Sequence, residues 1–158
     1  MKKLMEIRKK MKKNNRGFSL VELIIVIAIM AVLVAVLAPQ FLKYVEKSRN
    51  ATDAQNATAI VSALQTYYAD PDATDLPASG STATITVSST GTACDTDPNT
   101  FLDNAYAAAG ITKDTNCKSK STWTSYTIKY TVTNGTIDIT YGTAGDKFNL
   151  YMTKGTTS

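Results

Sequence analysis

The hydrophobic positions of this chain fall into three patterns along its length. Residues 18–42 form a nearly continuous apolar run, in which Leu23–Ala38 contain no charged side chain. Residues 43–68 lack glycine and proline, and their apolar residues recur mostly every three or four positions, which predicts an amphipathic helix with one buried stripe. From Thr124 onward apolar and polar residues alternate, which predicts β-strands.

The apolar run 18–42 predicts a transmembrane helix. It extends over 25 residues, broken only by Ser19, Glu22, Pro39 and Gln40. At about 1.5 Å per residue this is long enough to cross a hydrocarbon core of roughly 30 Å. Because proline removes an interior hydrogen bond, we expect a helix kink at Pro39.

The remaining residues, 43–158, predict a globular α+β head. The helix 43–68 is followed by a loop region, 69–123, that is rich in small and polar residues. Within that region Thr82–Ser88 predicts a short strand and Phe101–Gly110 a short helix.

An antiparallel sheet is predicted for residues 124–154. Alternating strands flank Asn134-Gly135, the residues preferred in a two-residue type I′ turn. Lys147–Thr153 is expected to add a third strand to this meander. Its apolar face must be buried, and the amphipathic helix 43–68 is the predicted cover.

The charges are distributed very unevenly. The chain carries 17 Lys+Arg and 13 Asp+Glu, a net charge of +4. Up to Gly17 there are eight cations and one acid, a net of +7, which leaves 9 − 12 = −3 for the rest. The basic tail lacks an aromatic residue for stacking on bases, so no nucleic-acid binding is predicted. The positive-inside rule predicts a cytoplasmic tail and a translocated head.

Two ordinary explanations of this N-terminus leave features unexplained. A secretory signal cut after Val36-Leu37-Ala38 would place Pro39 just after the cut, and its apolar region would be unusually long. A plain membrane anchor gives no reason for Glu22, since a carboxylate in the bilayer costs about 2.5–3.5 kcal/mol.

The string Gly17-Phe18-Ser19-Leu20-Val21-Glu22-Leu23, between a basic leader and an apolar helix, resembles the class III signal of type IV pilins and their relatives. The resemblance covers residues 1–49. It implies a type IV pilin fold, in which a long helix packs on the sheet. It also implies that a prepilin peptidase removes the leader 1–17 by cutting between Gly17 and Phe18, and methylates the new Phe18 amine.

The resemblance further implies the assembly chemistry. The Phe18 amine of one subunit would meet the Glu22 carboxylate of a neighbour in a filament core, where either charge alone would be costly. The expected partners are further copies of the chain, the peptidase and a pilus assembly platform. The subunit would reside in the cytoplasmic membrane before assembly and in an extracellular pilus afterwards. A pseudopilin of a type II secretion or competence system and a monomeric membrane-anchored binding domain remain alternatives.

No enzymatic activity or cofactor is predicted. The chain has no histidine, the commonest general base, and no nucleophile and base occur at a recognisable spacing. The acidic groups Asp70, Asp72 and Asp75, or Asp95 and Asp97, could ligate calcium as a loop of the pseudopilins does. They lack the central glycine and final glutamate of an EF-hand loop, so we interpret them as solvated turn residues and expect no metal.

Two cysteines, Cys94 and Cys117, are present. Their spacing fits no redox dithiol motif, and a cysteine pair alone cannot complete a zinc site. In an exported domain the pair predicts a disulfide, which would stabilise the head by roughly 3 kcal/mol. Many type IV pilins have a disulfide near the C-terminus, but about forty residues follow Cys117, so this part of the resemblance is loose.

Overall fold

The computed structural model describes residues 17–95 and 100–157. One long helix is followed by two strands, a short helix, two further strands and a C-terminal helix. The chain divides into two compact units, of which the first ends at Leu42 and the second begins at Lys43. The elements are α1 (Leu20–Tyr68), β1 (Thr82–Ser88), β2 (Gly91–Cys94), α2 (Phe101–Ala109), β3 (Tyr126–Thr133), β4 (Thr136–Tyr141) and α3 (Lys147–Lys154).

Helix α1 confirms that both predicted segments are helical, and they form one continuous helix of 49 residues. The helix assignment continues through Pro39, and the kink expected there stays a prediction. The part of α1 after Leu42 buries one stripe, as its spacing predicted. The buried apolar residues of this stripe are Ala57, Ile60, Val61, Ala63 and Leu64.

The head contains a four-stranded antiparallel sheet with the order β2-β1-β3-β4. The β3–β4 hairpin confirms the predicted turn, because Asn134 and Gly135 both have the positive φ values, 50° and 79°, that a type I′ turn requires. Strand β1 joins the hairpin by pairing with β3, with Ile85 opposite Ile128. The fold is therefore α+β, a long N-terminal helix followed by an antiparallel sheet.

The core of the head lies between α1, the sheet and α2. Strands β1 and β3 alternate strictly, so every second side chain faces the core. Phe101 at the start of α2 is fully buried, and its ring lies 5.6 Å from that of Tyr130. This arrangement confirms that the amphipathic part of α1 covers the sheet.

Two features differ from the sequence predictions. Strand β2 was not predicted, and Lys147–Thr153 is not a strand but lies within helix α3. Asp146 caps α3 by accepting a hydrogen bond from the Asn149 amide, and Gly155 ends it in the left-handed conformation. Phe148 is buried, and Tyr151 and Met152 are partly buried, a spacing of three and four residues that suits a helix better than a strand.

Candidate processing and assembly site

The residues of the proposed cleavage site precede α1. Gly17 and Phe18 are both exposed, Phe18 at 90% of its surface. A Cβ atom added to Gly17 would meet no heavy atom within 4 Å. The described residues therefore do not require glycine at this position, and an enzyme that binds the segment could impose such a requirement. The leader residues 1–16 lie outside the described residues.

The Glu22 side chain caps the N-terminus of α1. Its Oε2 atom accepts a hydrogen bond of 2.8 Å from the Ser19 amide, and the Ser19 hydroxyl lies 3.4 Å from the Val21 amide as acceptor. This arrangement is a variant of the capping box, in which the glutamate accepts from the serine amide and the serine hydroxyl accepts from the second helical amide instead of the third. Both bonds satisfy backbone N–H groups that have no partner in the helix. The carboxylate also lies at the positive end of the helix dipole.

The capping box gives Glu22 a role within a single subunit. The Ser-x-x-Glu spacing is the sequence signature of this motif, so Ser19 could have been identified as a partner of Glu22 before the structure was known. The carboxylate lies two residues along the helix from Leu20 and close to the Ser19 amide, which is next to Phe18 in the chain. Its negative charge is thus held at the end of the helix where cleavage would create a new amine.

Among the residues from 17 onward that the structure describes, none covers the apolar segment of α1. The exposed large apolar side chains from Phe18 to Tyr44 each keep at least 50% of their surface accessible. They include leucines, isoleucines and valines on all sides of the helix. Among the described residues, one helix is long and apolar enough to cross a membrane, and it is this one. A surface of this kind indicates a lipid environment or other helices as its surroundings.

In the head, a buried carboxylate holds the segment before β3 against α1. Asp53 is fully buried and accepts hydrogen bonds from the Lys118 amide at 2.7 Å and the Ser119 amide at 2.9 Å. The indole N–H of Trp123 donates to it at 2.9 Å, and the Cys117 thiol donates at 3.3 Å. A buried carboxylate is tolerated only when it is satisfied in this way.

A second carboxylate, Glu46, binds the same segment two helical turns earlier. One of its oxygens, Oε1, accepts from the Ser119 hydroxyl at 2.6 Å and from the amides of residues 120, 121 and 122 at 2.8–3.1 Å. Burial by itself would raise the pKa of Glu46, but these four hydrogen bonds outweigh it and hold the pKa well below its ordinary value of 4.5. Arg49 adds an ion pair at 3.5 Å.

We call Glu46, Asn50 and Asp53, together with the segment 117–123 that they bind, the carboxylate clamp. Asn50 completes it by donating to the Thr122 hydroxyl at 2.9 Å. Glu46, Asn50, Asp53 and Ala57 follow one another at spacings of four, three and four residues. The three polar residues therefore lie on the same face of α1 as the buried apolar stripe that begins at Ala57. Polar residues on the buried stripe of a helix need hydrogen-bond partners. The sequence shows these polar residues on the stripe, but it does not identify segment 117–123 as their partner.

The structure contains no disulfide between Cys94 and Cys117. Cys94 pairs with Ile85 in the hairpin of β1 and β2, whereas the Cys117 amide donates to the carbonyl of Ser88. The two residues of β1 that these cysteines contact, Ile85 and Ser88, are three positions apart along the strand. The Cys117 thiol instead donates to Asp53, and burial, followed by the Asp53 charge, raises its pKa to about 12.

The aspartates considered for calcium are turn residues where the structure describes them. Asp70 accepts a hydrogen bond from the Asp72 amide, and Asp95 accepts one from the Thr84 amide. Asp97 lies outside the described residues. Within residues 17–95 and 100–157, no group of three or more histidine, cysteine, aspartate or glutamate side chains could hold a metal ion.

The exposed segment at Gly17 and Phe18, the capped apolar helix and the α+β head define a class: proteins with an exposed apolar N-terminal helix, long enough to cross a membrane, that precedes an α+β head. The prokaryotic N-terminal methylation motif matches residues 12–38. The match concerns the N-terminal segment alone.

The chain is also similar to part of one curated relative. The chain is similar to the type IV major pilin protein PilA of Myxococcus xanthus strain DK1622, with 36% identity over 59 residues. The aligned segment covers 37% of this chain and 27% of the relative, so the chain spans about a quarter of that protein. No solved structure matches the chain significantly.

Proposed function

We propose that this chain is the structural subunit of a type IV pilus. It is inserted in the cytoplasmic membrane with its N-terminus in the cytoplasm, cleaved between Gly17 and Phe18, and methylated on the Phe18 amine by a prepilin peptidase. It then polymerises through α1, with the aid of an assembly platform, into an extracellular filament. The observation that carries the proposal is the methylation motif at residues 12–38 on a helix whose apolar side chains are exposed all round.

The geometry of Glu22 supports the assembly step. Its carboxylate is held at the start of α1 by the Ser19 amide, beside the position where cleavage would leave a cationic amine. In a filament core this carboxylate would receive the amine of a neighbouring subunit, because a lone charge there is costly. A subunit of this kind needs no catalytic residue and no cofactor, and we assign neither.

Intact mass measurement of the chain recovered from membranes and from sheared surface filaments tests the processing step. The expected N-terminus is Phe18 with one added methyl group. A mature chain beginning at Pro39, or one that keeps residues 1–17, would contradict the proposal. Gly17→Ala is expected to be cut slowly, whereas a bulky residue at position 17 should leave the leader attached, because it would keep the peptidase from approaching the backbone closely. The described part of the chain has space for a side chain there.

A pseudopilin remains the alternative, and the form of the assembly distinguishes the two. Electron microscopy should show long surface filaments made of this subunit, absent from a strain that lacks it. Filaments that appear only as short structures spanning the envelope would assign the chain to a secretion or competence system. The similarity to a protein described as a major pilin favours the long filament.

A further inference from the structure

The carboxylate clamp concentrates exposed positive charge at the beginning of the head. Lys43 and Lys47 are exposed on α1, and Arg49 follows on the next turn. The hydrogen bonds from the amides of Lys118 and Lys120 to Asp53 and Glu46 bring two more cations to the same part of the helix. We call Lys43, Lys47, Arg49, Lys118 and Lys120 the basic collar.

The acids near the collar face inward, and the cations face outward. Asp53 is fully buried, and the Glu46 side chain is 12% exposed, whereas all four lysines of the collar are exposed. Among the residues that the structure describes, the collar has one ion pair, between Arg49 and Glu46. The Lys118 ammonium donates to the side-chain oxygen of Asn116, but no described acid neutralises the charge of a collar lysine.

The remainder of the head has the opposite sign. From residue 43 onward the chain has nine cations and eleven acids. The collar with its two clamp acids accounts for 5 − 2 = +3, which leaves 4 − 9 = −5 for the other head residues. More than half of the head's cations are thus concentrated in one place, although the head as a whole is acidic.

We propose that the basic collar binds anionic lipid headgroups at the outer surface of the membrane before the subunit is assembled. Lys43 directly follows Leu42, the last residue of the apolar run, so the collar begins where the chain leaves the bilayer. Arg49, Lys118 and Lys120 line an open groove with the hydroxyl-bearing residues Ser48, Thr52 and Ser89. Ammonium, guanidinium and hydroxyl groups are suitable donors to phosphate oxygens.

This inference rests on the proposed membrane insertion of residues 18–42. Each lysine near an anionic membrane surface shifts a binding equilibrium about fivefold, and the attraction fades within a Debye length of roughly 10 Å. Lipid binding would hold the clamp side of the head against the membrane. Extraction of the subunit into a filament would then require these contacts to be released, so anionic lipid would retain unassembled subunits.

Trp123 provides the test, because it is the only tryptophan of the chain and belongs to the clamp. The full chain is reconstituted in vesicles of phosphatidylcholine alone or mixed with phosphatidylglycerol, each containing a lipid with a nitroxide headgroup. Quenching of Trp123 fluorescence should be stronger in the anionic vesicles, and the difference should disappear at high salt. The double variant Lys118→Gln/Lys120→Gln should also lose the difference.

The matched control is Lys129→Gln/Lys154→Gln, which removes the same charge at exposed positions outside the collar. It should keep the lipid dependence. Equal quenching of the unmodified chain in both vesicles, or equal losses in both double variants, would overturn the proposal. A third result would also overturn it: Lys120 cross-links to a carboxylate of a second copy, and the quenching does not depend on the lipid. The collar would then be a contact between subunits.

Alkaline carbonate extraction separates this inference from the proposed function. A chain that is extracted from the vesicles is not an integral membrane protein, which would contradict both proposals. A chain that resists extraction but shows no lipid dependence would contradict the collar alone.

Discussion

The two parts of α1, before and after Leu42, place their side chains in opposite environments. Before Leu42 the apolar side chains are exposed, and the one acid, Glu22, is bonded to the backbone at the helix start. After Leu42 the helix carries one buried and one partly buried carboxylate, Asp53 and Glu46, and each accepts several hydrogen bonds from a segment about seventy residues away in the chain. The first part therefore leaves its apolar side chains exposed in the single chain. In the second part, by contrast, the carboxylates find hydrogen-bond partners within their own unit.

The difference shows how the same element serves two purposes. Buried polar groups require specific partners at fixed distances, so the clamp determines where segment 117–123 lies on the helix. Exposed apolar side chains impose no such geometry, because the hydrophobic effect is non-directional. In the proposed filament, the first part of α1 would take positional information from Glu22, its one charged residue. The predictions below test this contrast.

The largest effect is expected for Glu22→Val. It makes the apolar segment more apolar and leaves Gly17-Phe18 in place, so insertion and cleavage should continue. Filament formation should be lost, because a neighbour's amine would be left unpaired at a penalty of about 3–5 kcal/mol per subunit. Sheared filament yield and the amount of cleaved subunit in the membrane are the measurements. Long filaments built only from this variant would exclude the pairing role.

Glu22→Gln distinguishes the charge from the helix cap. Its amide oxygen can still accept from the Ser19 amide, but it cannot neutralise an amine. If pairing is the function, both variants fail to assemble. If only the capping box matters, the glutamine variant should form filaments, and Ser19→Pro, which removes the donor, should fail instead.

In the second part of α1, Asp53→Ala should destabilise the head severely. It would leave the amides of Lys118 and Ser119 and the indole N–H of Trp123 without their acceptor. Unsatisfied buried donors cost about 1–3 kcal/mol each, so a loss of at least about 3 kcal/mol is expected. Denaturation of the full chain in detergent, followed by Trp123 fluorescence, measures it. The control Asp138→Ala, at an exposed position of β4, should change stability little, and equal losses would refute a special role for Asp53.

The Glu46 contacts predict a pH dependence of the head alone. A carboxylate whose pKa is lowered on folding stabilises the fold above its unfolded pKa, and this contribution is lost as the pH falls through the folded pKa. The stability of the head should therefore decrease below about pH 4.5, by on the order of 2 kcal/mol. Glu46→Gln should be less stable at neutral pH and should flatten this decrease. An unchanged pH profile in the variant would show that other groups cause it.

The sequence predicted elements whose signals are local. The helix 43–68, strand β1 and the hairpin around Asn134-Gly135 all follow from spacing or turn chemistry, and the structure contains them. It could not predict the clamp, because the pairing of Asp53 with Lys118 depends on how distant segments pack. The cysteines are a similar case, since the position of Cys117 depends on its contacts with Ser88 and Asp53, which are distant in the chain.

The smallest effect is expected at α3, where a local signal was present but misinterpreted. Alternation in Lys147–Thr153 suggested a strand, yet Asp146 and Gly155 are typical of the two ends of a helix. The Asp146 carboxylate accepts from the amides of Thr143 and Asn149, both at 2.6 Å. Asp146→Ala should therefore destabilise the head by about 1 kcal/mol, and Asp146→Asn by less, because its amide oxygen can still accept. Because Asp146 lies outside the clamp and the collar, filament yield should not change. A loss of filaments without a loss of stability would instead identify α3 as part of the assembly surface.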